Sequence, residues 1–247
     1  MAGSEVLATQ ISAALQVRHN LPVNLTWLAA ILSTTRTPAP PLPALTSTVH
    51  FRLLTSDLTT SLSTSNASIL LPIDINDPNV KERILAGNVP LQVLDIEDIG
   101  TSKWSQIEQI ERVERGEEVR GREVIRTLPA EAGEGPGDNP APANAPGGAG
   151  KSSGPHKYLL QDAKGTKVVA FETVRILKLG LGNDGMSIGM KIVLKTGTVV
   201  RRGVLMLVLE NVTVLGGKVD GWDKIWREGR KERLKRAVEQ ERGEEGR

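Results

Sequence analysis

Apolar positions change their period twice along this chain. Residues 4–17 (SEVLATQISAALQV) place Val6, Leu7, Ile11, Ala14 and Leu15 near helical spacing. Leu21-Pro22-Val23 interrupts the pattern, and Asn24 is a good N-cap for a short, mostly apolar helix over 25–34. After a Pro-rich connection from Thr37 to Pro43, residues 47–62 put Val49, Leu53, Leu54 and Leu58 on one side of a third helix. The pattern predicts a helical bundle over 1–65.

From about residue 69 the period shortens. Residues 89–99 (VPLQVLDIEDI) alternate apolar and polar, and the slip at Val93-Leu94 predicts a β-bulge. Residues 103–126 carry six Lys/Arg and six Glu, with Trp104, Ile107, Ile110 and Val113 three apart, which suggests a turn or two of helix with an apolar stripe. The Gly/Pro/Ala-rich run 129–155 cannot build a core and reads as disordered. Strand signals resume at Lys157–Asp162 and, in hairpin relation, Lys167–Glu172. Further strands are expected at Lys191–Lys195, Val199–Leu209 and Asn211–Leu215. Residues 220–247 read as a charged helix anchored by Trp222, Ile225 and Trp226.

Helices, one strand, a long insertion, four to five short strands and a helix define an α+β chain. The expected architecture is an N-terminal three-helix bundle over 1–65, then a single OB-fold β-barrel over 66–219 and a charged helix over 220–247. An insertion loop, 101–155, splits the barrel between its first two strands.

Composition narrows the chemistry. The chain has 247 residues, is 39% hydrophobic and has no cysteine, which removes disulfides and thiolate metal sites. Its 31 basic and 29 acidic residues are too balanced for strong DNA binding by net charge alone. No apolar run reaches transmembrane length, and no signal peptide is evident, so no membrane association is expected. His19, His50 and His156 are scattered without ligand spacing, so neither a metal nor any other cofactor is expected.

Motifs for catalysis are equally thin. Gly180-x-Gly182-x-x-Gly185 matches a dinucleotide fingerprint by letter, but strands follow it instead of a helix. The G-x-G-K-S within Gly147–Ser153 lies in low-complexity sequence. Asp95 and Glu97 share a strand face and could serve a hydrolase, although a solvated face explains them as well. Single-strand binding needs aromatic platforms, and the barrel region offers only Tyr158 and Phe171, with Lys157, Lys167, Lys191 and Arg201 as candidate phosphate contacts. That shortage favours a protein ligand over a base, and the insertion, with Trp104 at its start, is the natural docking element.

The run Arg202-Gly203-Val204-Leu205-Met206-Leu207, continued by Glu210-Asn211-Val212-Thr213-Val214-Leu215-Gly216-Gly217-Lys218-Val219, resembles a block of the RecQ-mediated genome instability protein family, subunit one. Trp27-Leu28-Ala29-Ala30, Leu53-Leu54-Thr55-Ser56-Asp57-Leu58, Leu91-Gln92-Val93 with Ser105-Gln106-Ile107, and Gly189-Met190-Lys191-Ile192 are similar to further family segments, in order. The resemblance implies a non-catalytic, nuclear scaffold that binds topoisomerase III and joins a RecQ-family helicase in dissolving double Holliday junctions. It further implies that DNA is met mainly through the complex, and that the insertion contacts the topoisomerase gate. Trp104, Gln106, Ile107, Ile110 and Lys191 are the partner-binding candidates on this basis. A single-stranded DNA-binding OB-fold using Lys157, Lys167 and Arg201 is the alternative. Leu209 stands where the family usually has Pro, and the insertion is longer and richer in Gly and Pro than the family's. The second OB-fold of longer members is expected to be absent, as in short fungal forms.

Overall fold

The computed structural model describes residues 2–35, 40–116, 154–181 and 186–245. Helices α1 (Ala2–His19), α2 (Leu25–Ser33) and α3 (Leu42–Leu54) form the N-terminal bundle. Asn24 caps α2 by accepting from the amides of Thr26 and Trp27. The third helix is earlier and shorter than its apolar pattern predicts. Proline is favoured in a first helical turn, so α3 starts beside Pro41 and Pro43. It ends at Thr55, and Asp57 then caps a separate turn, α4 (Leu58–Ser61), through Thr59 N. Ile11, Leu15, Leu21, Leu28, Val49, Leu53, Leu58 and Leu62 are fully buried together at the bundle centre.

Among the described residues the remainder is one strongly bent, eight-stranded sheet with two helical attachments. A two-residue strand, β1 (Arg83–Ile84), precedes the long strand β2 (Val89–Asp98) and helix α5 (Lys103–Glu114). Then come β3 (His156–Gln161), β4 (Lys167–Glu172), β5 (Lys191–Leu194), β6 (Val199–Arg201), β7 (Val204–Leu207) and β8 (Val212–Gly216). The strand order is β1-β6-β7-β4-β3-β2-β5-β8, and only β4 and β7 run parallel. The first half of β2 pairs with β5 and the second half with β3, which is how the sheet curls.

The expected bulge is present as a register shift between Val93 and Asp95. Leu91 and Val93 face the barrel core before it and Ile96 after it, so the shift exchanges the faces of the strand. Val199–Leu209, expected as one strand, is instead the hairpin β6–β7. Arg202 and Gly203 both adopt positive φ at its tip, the geometry a two-residue hairpin turn requires.

The C-terminal segment is two helices, α6 (Asp220–Glu228) and α7 (Arg230–Glu245), not one. Trp226 is buried in the barrel core and Trp222 packs against it, whereas Ile225, expected as a third anchor, is exposed on the other side of α6. Among the described residues no helix is long and apolar enough to cross a membrane. The Gly/Pro-rich run up to residue 153 lies outside the described residues.

Bundle and barrel meet through polar groups as well as apolar ones. Gln92 on β2 is fully buried; its carbonyl accepts from Leu58 N at 2.9 Å, and its amide donates to Asp57 Oδ1 at 2.7 Å and Gln161 Oε1 at 3.0 Å. Within the barrel, Asp162, also buried, ties the segment that follows the bundle to the β3–β4 turn: it accepts from Leu71 N at 2.9 Å and from Lys164 N and Thr166 N. Gly217, just past β8, sits at φ +82°, and a Cβ there would lie 2.4 Å from Leu54 O in α3. The second glycine of the V-L-G-G run therefore marks a close approach between barrel and bundle. Gly216 shares the positive φ, at +89°, but a Cβ there would meet nothing. Gly217→Ala is expected to cost about 2–4 kcal/mol in denaturant unfolding, and Gly216→Ala about 1–2 kcal/mol from backbone strain alone. Equal losses at the two positions would contradict the proposed contact.

Candidate partner-docking site

The insertion leaves the barrel at the end of β2 under tight control. Asp98 is buried, and its carboxylate accepts from the amides of Gly100 (2.9 Å) and Thr101 (3.1 Å). Ser102 caps α5 by accepting from Ser105 N. Gln106 reaches back from the first turns of α5 and donates to the carbonyls of Asp98 (2.9 Å) and Thr101 (2.8 Å). The helix direction is thus set within a few residues of the barrel rim. The returning chain is joined to the departing one by Ile99 N donating to Pro155 O at 3.1 Å.

A second constraint comes from the far end of the sequence. Helix α7 lies antiparallel along α5. Lys103, at the start of α5, pairs with Glu241 near the end of α7, while Lys231 at the start of α7 reaches Glu114 at 2.6 Å and Glu111 at 3.3 Å. Lys235 adds a contact to Glu111 at 3.6 Å, and Arg230 donates to Gln106 Oε1 at 2.9 Å. The Lys231 amine beside Glu111 holds that carboxyl below the ordinary glutamate range, and Glu114, with Glu111 second, raises Lys231. Exposed pairs are each worth little, but several in one register fix an orientation. Helix α6 ties this pair to the barrel: Trp226 Nε1 donates to Asp95 Oδ1 at 2.6 Å, and Asp223 accepts from Ile188 N at 2.9 Å. The guanidinium groups of Arg233 and Arg230 lie 5.3 and 5.7 Å from the centre of the Trp226 ring.

The predicted partner contacts therefore separate. Trp104 is 62% exposed, with Arg242 at 5.9 Å from its ring centre, and Ile110 is half-buried. Gln106 and Ile107 are buried: Gln106 faces the barrel rim, and Ile107 is the one member of the apolar stripe that lies inside, Val113 being exposed. They position α5 and offer no surface in this conformation. Lys191 is likewise buried on β5, with Nζ 2.5 Å from Gly189 O. Burial pushes its ammonium down to about 8, against the attraction of Asp57.

The candidate DNA contacts do not make a groove. Lys157 pairs with Glu97 at 2.9 Å and Arg201 with Glu82 at 3.1 Å, while Lys167 is exposed on the outer face of β4. Glu97 and Asp95 are thereby also spoken for, one by Lys157 and the other by Trp226. Beside these lysines the outer face of β3, β4 and β7 carries Leu159, Val169, Phe171, Val204 and Met206, all half-buried. Tyr158 faces the core and Phe171 faces out, so the two aromatics share no platform.

Pattern reading missed one buried network. Glu172 accepts from His156 N at 2.8 Å, bonds the His156 ring, and lies 2.9 Å from Tyr158 Oη, which is also 3.0 Å from Leu179 O. Burial opposes ionisation of Glu172, yet the His156 and Tyr158 bonds hold its carboxyl below the usual range. Burial and the adjacent carboxylate push the Tyr158 phenol far up, so its hydroxyl stays a donor. These groups fasten the insertion's return where His156 opens β3. Their only sequence signal is the His-x-Tyr alternation on one strand face. The dinucleotide-like run is described only as far as Leu181, and the G-x-G-K-S lies outside the described residues. Among the described residues no three His, Asp or Glu side chains could together hold a metal ion.

Comparison with known proteins gives two family matches and a relative. The family described as RMI1, N-terminal OB-fold domain, matches residues 71–230, and that described as RMI1, N-terminal helical domain, matches residues 15–61. The chain is 29% identical over 176 residues to RecQ-mediated genome instability protein 1 of Schizosaccharomyces pombe, covering 70% of this chain and 71% of the relative.

Lys191 gives the bundle–barrel junction a pH signature. Its folded value near 8 lies below the ordinary 10.5, so the unfolded chain binds the extra proton between these limits. Stability contributed by this group therefore rises as pH increases through that window. Lys191→Met is expected to exceed wild type by on the order of 1–3 kcal/mol at pH 7, with the gap narrowing toward pH 10. A gap that stays constant in pH-dependent denaturant unfolding would contradict the buried-ammonium account.

Proposed function

The chain belongs to the RMI1 family, as its match over residues 71–230 shows, and from that premise we propose that it is a non-catalytic scaffold serving genome stability alongside a RecQ-family helicase. In this reading it binds topoisomerase III through the OB-fold and its insertion and promotes decatenation and double Holliday junction dissolution in the nucleus. The observation that carries the reading is α5. It leaves the barrel between its first two long strands, is held antiparallel to α7, and presents Trp104 to solvent. A large aromatic on a pre-oriented helix is the kind of anchor that dominates protein interfaces, because little conformational freedom remains to be lost on binding.

The electrostatics support a protein partner over bare DNA. Of the four basic side chains that would line a barrel groove, Lys157 and Arg201 face carboxylates and Lys191 is inside. The half-buried apolar residues on β3, β4 and β7 extend the candidate surface beyond the helix. Catalysis is left to the partners in this reading: the titratable cluster Glu172–His156–Tyr158 is packed within the barrel, and Asp95 and Glu97 hold other side chains.

Trp104→Ala is expected to weaken binding of purified topoisomerase III by about 2 kcal/mol, some thirtyfold, in a calorimetric or surface-binding titration. Its unfolding free energy should stay within about 0.5 kcal/mol of wild type, because the side chain is mostly exposed. Unaltered affinity in the folded variant would remove α5 from the interface.

A further inference from the structure

A cleft of about 310 Å3 opens where the end of α1 meets β5, β8 and the β5–β6 turn. Arg18, His19, Lys195, Asn88, Thr196 and Thr213 line it, and none of its nine lining residues is acidic. Several basic groups on the barrel sit against a carboxylate, as Arg83, Lys157, Arg201 and Lys218 do. Arg18 and Lys195 do not: among the described residues neither has an acidic partner. Burial, and after it the neighbouring charge of Arg18, pulls His19 below its ordinary value. Unpaired cations that disfavour a further positive charge in a concave, acid-free site form a local hole for an anion.

The walls of the cleft are also built. Asn88 Oδ1 accepts from Thr196 N at 2.9 Å, and Asn88 Nδ2 donates to Asn20 Oδ1 at 3.1 Å, clamping the turn of the barrel to the end of α1. The carbonyl end of a helix would repel an anion. Here Asn20, at φ +55°, turns the chain so that Asn20 N and Leu21 N cap the carbonyls of Gln16 and Leu15. The His19 ring stacks on His50 at 4.0 Å between centres, which fixes its plane at the rim.

We propose that this cleft binds a phosphate group, presented either by single-stranded nucleic-acid backbone or by the free ion. The site is separate from the lysines of the outer sheet face and does not depend on α5, so its failure would leave the docking reading untouched. The test titrates the full chain with inorganic phosphate, followed by NMR, and with a short oligothymidylate, followed by fluorescence anisotropy. Arg18→Ala/Lys195→Ala is compared with Lys224→Ala, an exposed α6 lysine outside the cleft, as control. The expected result is perturbation of His19, Asn88 and Thr196 by at least one ligand, with affinity falling at least tenfold in the double variant and unchanged in the control. If the oligonucleotide uses the cleft, loss of two contacts should also reduce its salt slope by about 1.4. Perturbation by inorganic phosphate alone assigns the site to the free ion. Absence of perturbation by both ligands, or wild-type affinity for both in the double variant, overturns the proposal.

Discussion

Among the described residues, polar side chains of one strand, β2, reach each of the three parts appended to the barrel. Gln92 holds the helical bundle through Asp57 and Leu58, Asp95 holds α6 through the Trp226 indole, and Asp98 holds the root of the insertion. These residues are spaced by three, which a regular strand cannot present usefully, since its faces alternate by two. The bulge between Val93 and Asp95 resolves the conflict. Before it the odd residues face the core and Gln92 faces the bundle; after it the even residues turn inward and Asp95 turns to α6. One extra residue therefore directs three attachments that span the chain from the bundle to the C-terminal helices.

The consequence for function is orientation. A helix inserted into a loop would ordinarily carry a large conformational cost into any complex. Here α5 is directed at its start by Asp98 and Gln106 and along its length by α7, whose own position is fixed by Trp226 and Asp223 on the barrel. The exposed Trp104 is then a property of the assembled fold and not of the loop alone. The buried Glu172–His156–Tyr158 network plays the matching part on the return side, holding the start of β3 where the chain re-enters the sheet.

Much of this plan was legible in the sequence, for identifiable reasons. The bundle, the first strand with its bulge and the β3–β4 hairpin follow from apolar periodicity, which burial enforces. Helix limits near Pro41, Pro43 and Asp57 were misplaced because capping and proline override the apolar stripe. The burial of Gln106, Ile107 and Lys191 is not legible because a polar or apolar letter does not say whether its partner is solvent, protein or the chain itself. The pairing of α5 with α7 was hidden for the same reason: a charge-dense helix reads alike whether solvated or matched to another. The bond from Trp226 to Asp95 spans 131 residues and leaves no local trace.

Amide hydrogen exchange of a Trp226→Ala variant tests this dependence most directly. If α6 and α7 hold α5 in place, protection should fall together across Arg230–Glu245 and Lys103–Glu114, while β3 and β4 keep wild-type protection. Loss of protection in α7 with α5 unchanged would contradict the account, because the insertion helix would then be ordered by its own root alone.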